Sequence, residues 1–306
     1  MAIEDSFYQG FLELALAAFN IFPLTNWRVI YNLYGGGGAQ ANFDPAVLDT
    51  FLENLLVAKN QANGVMQVEV QEFPDGDNWA HLDRAFIDNL SDAGKQEIWD
   101  TFYHFRRANT PALKRLYIHA KPPIETNGLS ILRKLLQVPN APGLVNLKIG
   151  GPGCTNRADT IVAFFSDKAS LQAVIDALQK SDFHPPWFED GIPTGTLPLS
   201  FLKKPGVAGA DEVPDLGTPG IDTRTYGAFL STLIYEAYVH IYLLWANSNP
   251  AASTALRKQK FLESLLEACD ILRVDAKTIH LTQKDYKKLD EQLGLVLPAQ
   301  ARLHQV

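Results

Sequence analysis

The hydrophobic positions along this chain change period several times. From Asp5 to Phe22 apolar residues recur at helical spacing. Pro45 to Gln61, "PAVLDTFLENLLVAKNQ", does so more strongly, with Asp44 placed to cap the first turn. "GVMQVEVQEF" alternates instead, which predicts a strand with Met66, Val68 and Val70 inward. "DNLSDAGKQEIWDTFYHFRRANTP" reads as a helix running to the break before Pro111.

From Leu113 the pattern is mixed. A strand, Arg115–Lys121, is followed by a helix, Asn127–Leu136. Then come a strand "LVNLKIG", a glycine-rich turn "GPGCTNRAD", a strand "TIVAFFS" and a helix, Asp167–Lys180. In "LVNLKIG" the side chains of Val145, Leu147 and Ile149 share one face, and Asn146 and Lys148 the other. Pro185–Pro219 is rich in Pro and Gly and shows little periodicity; its length predicts a lid, a wrapping arm or a substrate-binding segment. Helices return at Tyr226–Asn247, dense in aromatics, and at Ala252–Leu272, with Leu256, Leu265, Leu266, Cys269 and Leu272 as the apolar stripe. The sum is an α+β protein: a helical N-terminal part, a mixed or antiparallel sheet with packed helices, a long Pro/Gly-rich loop and a helical C-terminal part. The pattern divides it into a mainly helical 1–112 and an α+β 113–306, or joins the two in one integrated domain.

Composition narrows the chemistry. The chain has 306 residues, 46% hydrophobic and 20% charged, ample for a packed core. Its formal charge of −7 offers no broad basic face, so nucleic acid is not the expected ligand. Two cysteines, Cys154 and Cys269, support neither a disulfide framework nor a zinc site, and point to a reducing cytoplasm. Glu4 and Asp5 stand where a signal peptide carries basic residues, and Glu13 interrupts the apolar run, so an amphipathic docking helix and no membrane span are expected. Gly35–Gly38 are followed by Ala39-Gln40 and not by Lys-Ser/Thr, which makes them a flexible turn. The seven histidines lack metal-site spacing, and Gly-x-Ser-x-Gly is absent. No metal or cofactor is expected. Glu69, Glu72, Asp75 and Asp77 read as solvated charge, His240 as a structural or interface residue and His184 as a loop anchor.

The strand "KRLYIHAKPP" raises a sharper possibility. Leu116, Ile118 and Ala120 point one way; Tyr117, His119 and Lys121 point the other. If the next strand lies beside it, Lys148 joins this polar face, and the glycine-rich turn beyond adds backbone N–H groups and Arg157. Such a cluster suits an anionic phosphoryl ligand. The same residues also fit a plain solvated sheet face.

The ordering "LYIHAKPP…LVNLKIGGPG…NRADTIVAFFSD…TYGAFLSTLIYEA", over roughly residues 28–281, resembles the HopA family of type III effectors. It equally resembles the LanY lyases of class V lanthipeptide biosynthesis. "VIYNLYGG" matches part of an LY-x-x-Y-like segment of those families, with the second aromatic and the charged glycine turn altered. A fainter similarity links the chain to effector phosphothreonine lyases, where a strand carries Lys and His two residues apart, followed by a strand Lys and then an Arg. Here His119 and Lys121 occur in the reverse order. The resemblance implies Lys148 as general base, His119 as general acid, and Lys121 and Arg157 as phosphate ligands. Arg224 is a further phosphate candidate, and Tyr117 a substitute acid. It implies elimination of phosphate from phosphoserine or phosphothreonine in a precursor peptide, recognition of that peptide's leader, and a separate kinase protein, alone or in complex. The alternative is a non-catalytic peptide- or kinase-binding module, an effector-like scaffold.

Overall fold

The computed structural model describes residues 12, 14–34, 42–64, 66–71, 79–107, 112, 114–193, 197–198, 202, 204–211 and 226–272. The four-glycine stretch, Glu72–Asp77 and Arg224 lie outside them. The chain divides into two compact units: residues 37–193 with 198–209, and residues 1–36 with 194–197 and 210–306. The boundary expected at 112/113 thus falls inside the first of these, because the strands on either side of it enter one sheet.

That sheet explains most of the α+β unit. Its strands are β1 (Gln67–Gln71), β2 (Trp79–His81), β3 (Phe102–Arg106), β4 (Lys114–Ile118), β5 (Leu144–Gly150), β6 (Ile161–Phe165), β7 (Leu197–Pro198) and β8 (Val207–Asp211). The order is β2-β1-β3-β5-β6-β4-β8-β7, and each described register from β2 through β4 is antiparallel. Alternation puts Val68, Val70, Tyr103, Phe105, Leu147, Ile149, Ala163, Leu116 and Ile118 into one core. A bulge between Leu144 and Asn146 brings Leu144 into that cluster, where simple alternation puts Val145.

Three helices cover this face. In α3 (Pro45–Gln61) Leu48, Phe51, Leu52, Leu55 and Ala58 form the buried stripe. Asp44 caps it, accepting from the N–H groups of Ala46 at 2.9 Å and Val47 at 3.3 Å, while Pro45 occupies the first turn, where no N–H is missed. A π-turn, Ile124–Gly128, leads into α6 (Leu129–Leu136), which buries Ile131, Leu132 and Leu135. Asp167 caps α7 (Lys168–Leu178) through the Ser170 N–H at 2.7 Å. Ion pairs Lys95–Asp49, at 2.7 Å, and Arg84–Glu53 tie α3 to the short α4 (Arg84–Asp88) and α5 (Asp92–Glu97).

One expectation is corrected here. Where a helix was read across residues 88–110, α5 ends at Glu97 and Phe102–Arg106 form β3. The reason is tertiary: Tyr103 and Phe105 alternate into the core between β1 and β5, and the Tyr103 hydroxyl donates to the Ile98 carbonyl at 2.7 Å. The Pro/Gly-rich stretch also contributes β8, next to β4 in the sheet, with the His119 N–H donating to the Gly206 carbonyl at 2.8 Å. Gly206 sits at φ +64°, a turn conformation that glycine adopts freely.

The other unit is helical: α1 (14–19), α2 (Trp27–Tyr34), α8 (Tyr226–Ala237), a π-turn Tyr238–Tyr242, α9 (Leu243–Ser248) and α10 (Thr254–Leu272). Phe22 packs on Tyr238 with ring centroids 4.4 Å apart and on Phe261 at 5.0 Å. Gly227 stands where any Cβ would strike the Tyr34 ring, so α2 and α8 meet closely there. Leu265 and Cys269 are buried as expected, but Leu256 is 40% exposed and Phe261 holds the centre of the α10 stripe. Gly227–Ser248 is long and apolar enough to cross a membrane, yet 67% of that window is buried, as in a core helix. His240 pairs with Glu236 one turn back at 2.9 Å.

Truncating Phe105 to Ala should cost about 3–5 kcal/mol, read as a lower urea midpoint at unchanged slope. A loss below about 1 kcal/mol would mean that β3 is not a central strand.

Candidate functional site

The face of the sheet opposite the core carries a continuous row. Cross-strand registers align His81 with Glu69, Glu69 with His104, His104 with Lys148, Lys148 with Val162 and Val162 with Tyr117. Directly opposed residues have Cβ atoms about 4.5–5.5 Å apart, so the row brings together titratable groups from distant parts of the chain. Glu69 is not free surface charge: it pairs with Arg106 at 3.0 Å and lies 3.9 Å from His81.

Lys148 is the centre of the site. Its side chain is 12% exposed, and Nζ lies 3.8 Å from Asp159 Oδ2 and 4.1 Å from the centroid of the Phe102 ring. Asp159 holds Arg157 in a fork, with Nε donating to Oδ1 at 2.8 Å and Nη2 to Oδ2 at 3.1 Å. The Arg157 guanidinium also lies 5.0 Å from the Phe102 centroid. Burial, reinforced by Arg157 and Arg115, pulls the Lys148 pKa down to about 8, although Asp159 opposes the fall. Against the effect of burial, Arg157 and Lys148 hold Asp159 below its usual range. The outcome is an amine that can take up a proton near neutrality.

His104, opposite Lys148, is pushed well below its ordinary pKa by burial and by the charges of Lys148 and Arg106. Its Nδ1 accepts from the Asn146 amide at 3.2 Å, which leaves the ring proton on Nε2. Arg115 is buried, with its guanidinium over Phe164 at 4.8 Å. Tyr117 is buried in the same row, separated from Lys148 by β6.

The glycine-rich turn after β5 has a different role from the one expected. Gly151 N–H donates to Thr101 O at 2.8 Å, Gly153 N–H to Trp99 O at 3.0 Å and Cys154 N–H to Gly151 O at 2.9 Å. These donors hold the turn against the segment before β3 and are not offered to a ligand. Burial pushes the Cys154 thiol up to about 12, and Sγ donates to Asp100 O at 3.0 Å, so it is a packing group.

Of the residues singled out in the sequence, Lys148 and Arg157 come together. His119 lies just beyond β4, with Nδ1 at 2.7 Å from the Asp190 carbonyl. Lys121 is exposed, its N–H donating to Trp187 O at 2.8 Å. His184 packs edge-on against Trp187 at 4.8 Å, as a loop anchor would. Four participants were not read from the sequence. Phe102 and His104 sit on the strand mistaken for helix; its period-two pattern, "FYHFR", was the available signal. Asp159 lies two residues after Arg157 in the quoted "NRAD", and Arg115 opens the strand that drew attention.

Replacing Lys148 by Met should stabilise the protein by on the order of 2–3 kcal/mol at neutral pH. The folded pKa is about 8 and the ordinary one 10.5, so between these values the unfolded chain binds more protons and stability climbs with pH. The advantage of the Met variant should therefore narrow as pH rises through that window. Thermal melts at neutral and alkaline pH check this; a lower Tm for the variant at neutral pH would mean that the Asp159 pair outweighs the cost of burial.

No protein-family profile matches the chain, and no curated protein does. Solved structures do. The effector protein from Pseudomonas syringae pv. tomato strain DC3000 superposes with a TM-score of 0.59 at 17% identity, over 92% of this chain and 99% of that one. The effector protein from Pseudomonas syringae pv. syringae strain 61 gives 0.60 at 14% identity, over 91% and 98%. The chain therefore has the fold of these Pseudomonas syringae effector proteins, consistent with the HopA-type resemblance of its sequence.

Proposed function

We propose that the protein is a phosphoserine/phosphothreonine lyase acting on a phosphorylated precursor peptide, in the manner of the LanY lyases. The observation that carries this reading is Lys148, a buried amine with a pKa of about 8, beside the Arg157 guanidinium. β-Elimination needs a base for the weakly acidic Cα proton and a cation for the phosphate that leaves Cβ. In this reading the neutral Lys148 amine takes the Cα proton. The C–H electron pair becomes the Cα=Cβ bond, the Cβ–O bond breaks, and phosphate departs against Arg157. The product is dehydroalanine from phosphoserine or dehydrobutyrine from phosphothreonine.

The proton for the bridging oxygen has three candidate donors: His119, Tyr117 and His104. A phosphate dianion beside His104 would raise its depressed pKa. The precursor's leader, a separate kinase and a cytoplasmic site of action belong to the same proposal, and so do phosphate contacts from Lys121 and Arg224. The competing reading, a phosphopeptide- or kinase-binding module, draws on the same two cations, because Lys148 and Arg157 against a single Asp159 keep positive charge for a phosphoryl group whether or not chemistry follows.

The test is mass spectrometry of kinase-treated precursor peptides incubated with wild type and with Lys148→Ala. Loss of phosphoric acid with wild type, reduced about 10²–10⁴-fold or more in the variant, is expected. Loss with both proteins removes Lys148 from the base role. Retained phosphate on peptides that still bind favours the recognition module.

For an active enzyme, kcat/KM should rise with pH through about 8 as Lys148 loses its proton. Asp159 holds that pKa up, so Asp159→Asn should move the rise to lower pH. A pH profile unmoved by the substitution would assign the limb to another group.

A further inference from the structure

Two cations, Lys148 and Arg157, converge on a single carboxylate oxygen, Asp159 Oδ2, at 3.8 and 3.1 Å. Lys148 and Arg157, with side chains 12% and 24% exposed, are like charges that repel. A carboxylate draws them together, but each one also cancels positive charge that an anion needs and raises the Lys148 pKa. An aromatic face attracts cations without bringing any net charge.

Phe102 occupies that place. Its ring centroid lies 4.1 Å from Lys148 Nζ and 5.0 Å from Arg157 Cζ. The geometry has a backbone cause. Phe102 is directly opposite Gly150 on β5, and with no side chain there the ring can lie across the strand towards Lys148, two residues earlier. Gly150 is itself fixed, because a Cβ on it would come within 2.6 Å of Cys154 Cβ. Phe102 is half-buried.

We propose that Phe102 is a positioning residue: its ring, in reach of both, holds Lys148 and Arg157 where one phosphoryl group would meet the two, without neutralising either. The phosphoryl part rests on the lyase reading; the positioning of the two cations does not.

The test replaces Phe102 by phenylalanines carrying one, two and three ring fluorines, which drain the ring face of charge with little change in bulk. The first readout is the pKa of Lys148, from competitive acetylation followed by mass spectrometry of its peptide, and it needs no substrate. Because the ring favours the ammonium form, the pKa should fall stepwise, by up to about one pH unit across the series. Phe102→Tyr should retain the wild-type value, and Phe102→Leu, equally apolar but without the ring face, should not. A pKa that stays flat across the fluorinated series overturns the proposal. The second readout is phosphate release from the kinase-treated peptides. A graded pKa with no release even from wild type keeps the positioning role and removes the lyase. Release with a flat pKa does the reverse.

Discussion

Keeping a lysine off water beside an arginine is the constraint on which this site turns. Nζ of Lys148 has surrendered most of its hydration, and the Arg157 guanidinium adds repulsion. The cost is reduced, not removed, by the groups around the pair: a carboxylate shared between both cations and an aromatic ring within reach of both. Those partners come from β3, β5 and the turn between β5 and β6, so the sheet must be complete before the pair can exist. A buried ion group of this kind is weak as a source of stability. Its retention makes sense as stored reactivity, an amine held ready to change protonation state close to neutrality.

The antiparallel order turns that local demand into an architecture. Every second residue of five strands enters the core beneath α3, α6 and α7, and the intervening residues line up as the row from Glu69 to Tyr117. Rigid strands place side chains more narrowly than loops do. The glycine-rich turn acts as a brace in this scheme. Its N–H groups hold the Trp99–Thr101 segment, which in turn sets where β3 begins.

Much of this was readable from the chain. The caps at Asp44 and Asp167 and the alternation in β1, β5 and β6 are local signals, set by side chains that act within a turn or a strand. Lys148 and Arg157 were legible because cations on a strand and its following turn stand out against apolar neighbours. The failures were all non-local. "FYHFR" alternates, but over too few residues to outweigh the helical-looking run before it, and its place between β1 and β5 decides the strand; with it went Phe102 and His104. β8 has a glycine- and alanine-rich sequence with no pattern to declare it, and its place is set by pairing with β4. Leu256 belongs to an apolar stripe by spacing but lies on the exposed side of α10, where the stripe is centred on Phe261.

The strand order also has a consequence for how the chain comes to be folded. β3 and β4 are consecutive in sequence, yet β5 and β6 lie between them in the sheet. As the chain emerges during synthesis, β3 and β4 are both present before either of their eventual partners. Pairing them with each other would form a hairpin early and close the gap into which the β5–β6 hairpin has to insert. The native order instead requires β4 to pair with β6, so that Lys114 waits for Phe165, fifty-one residues further along the chain.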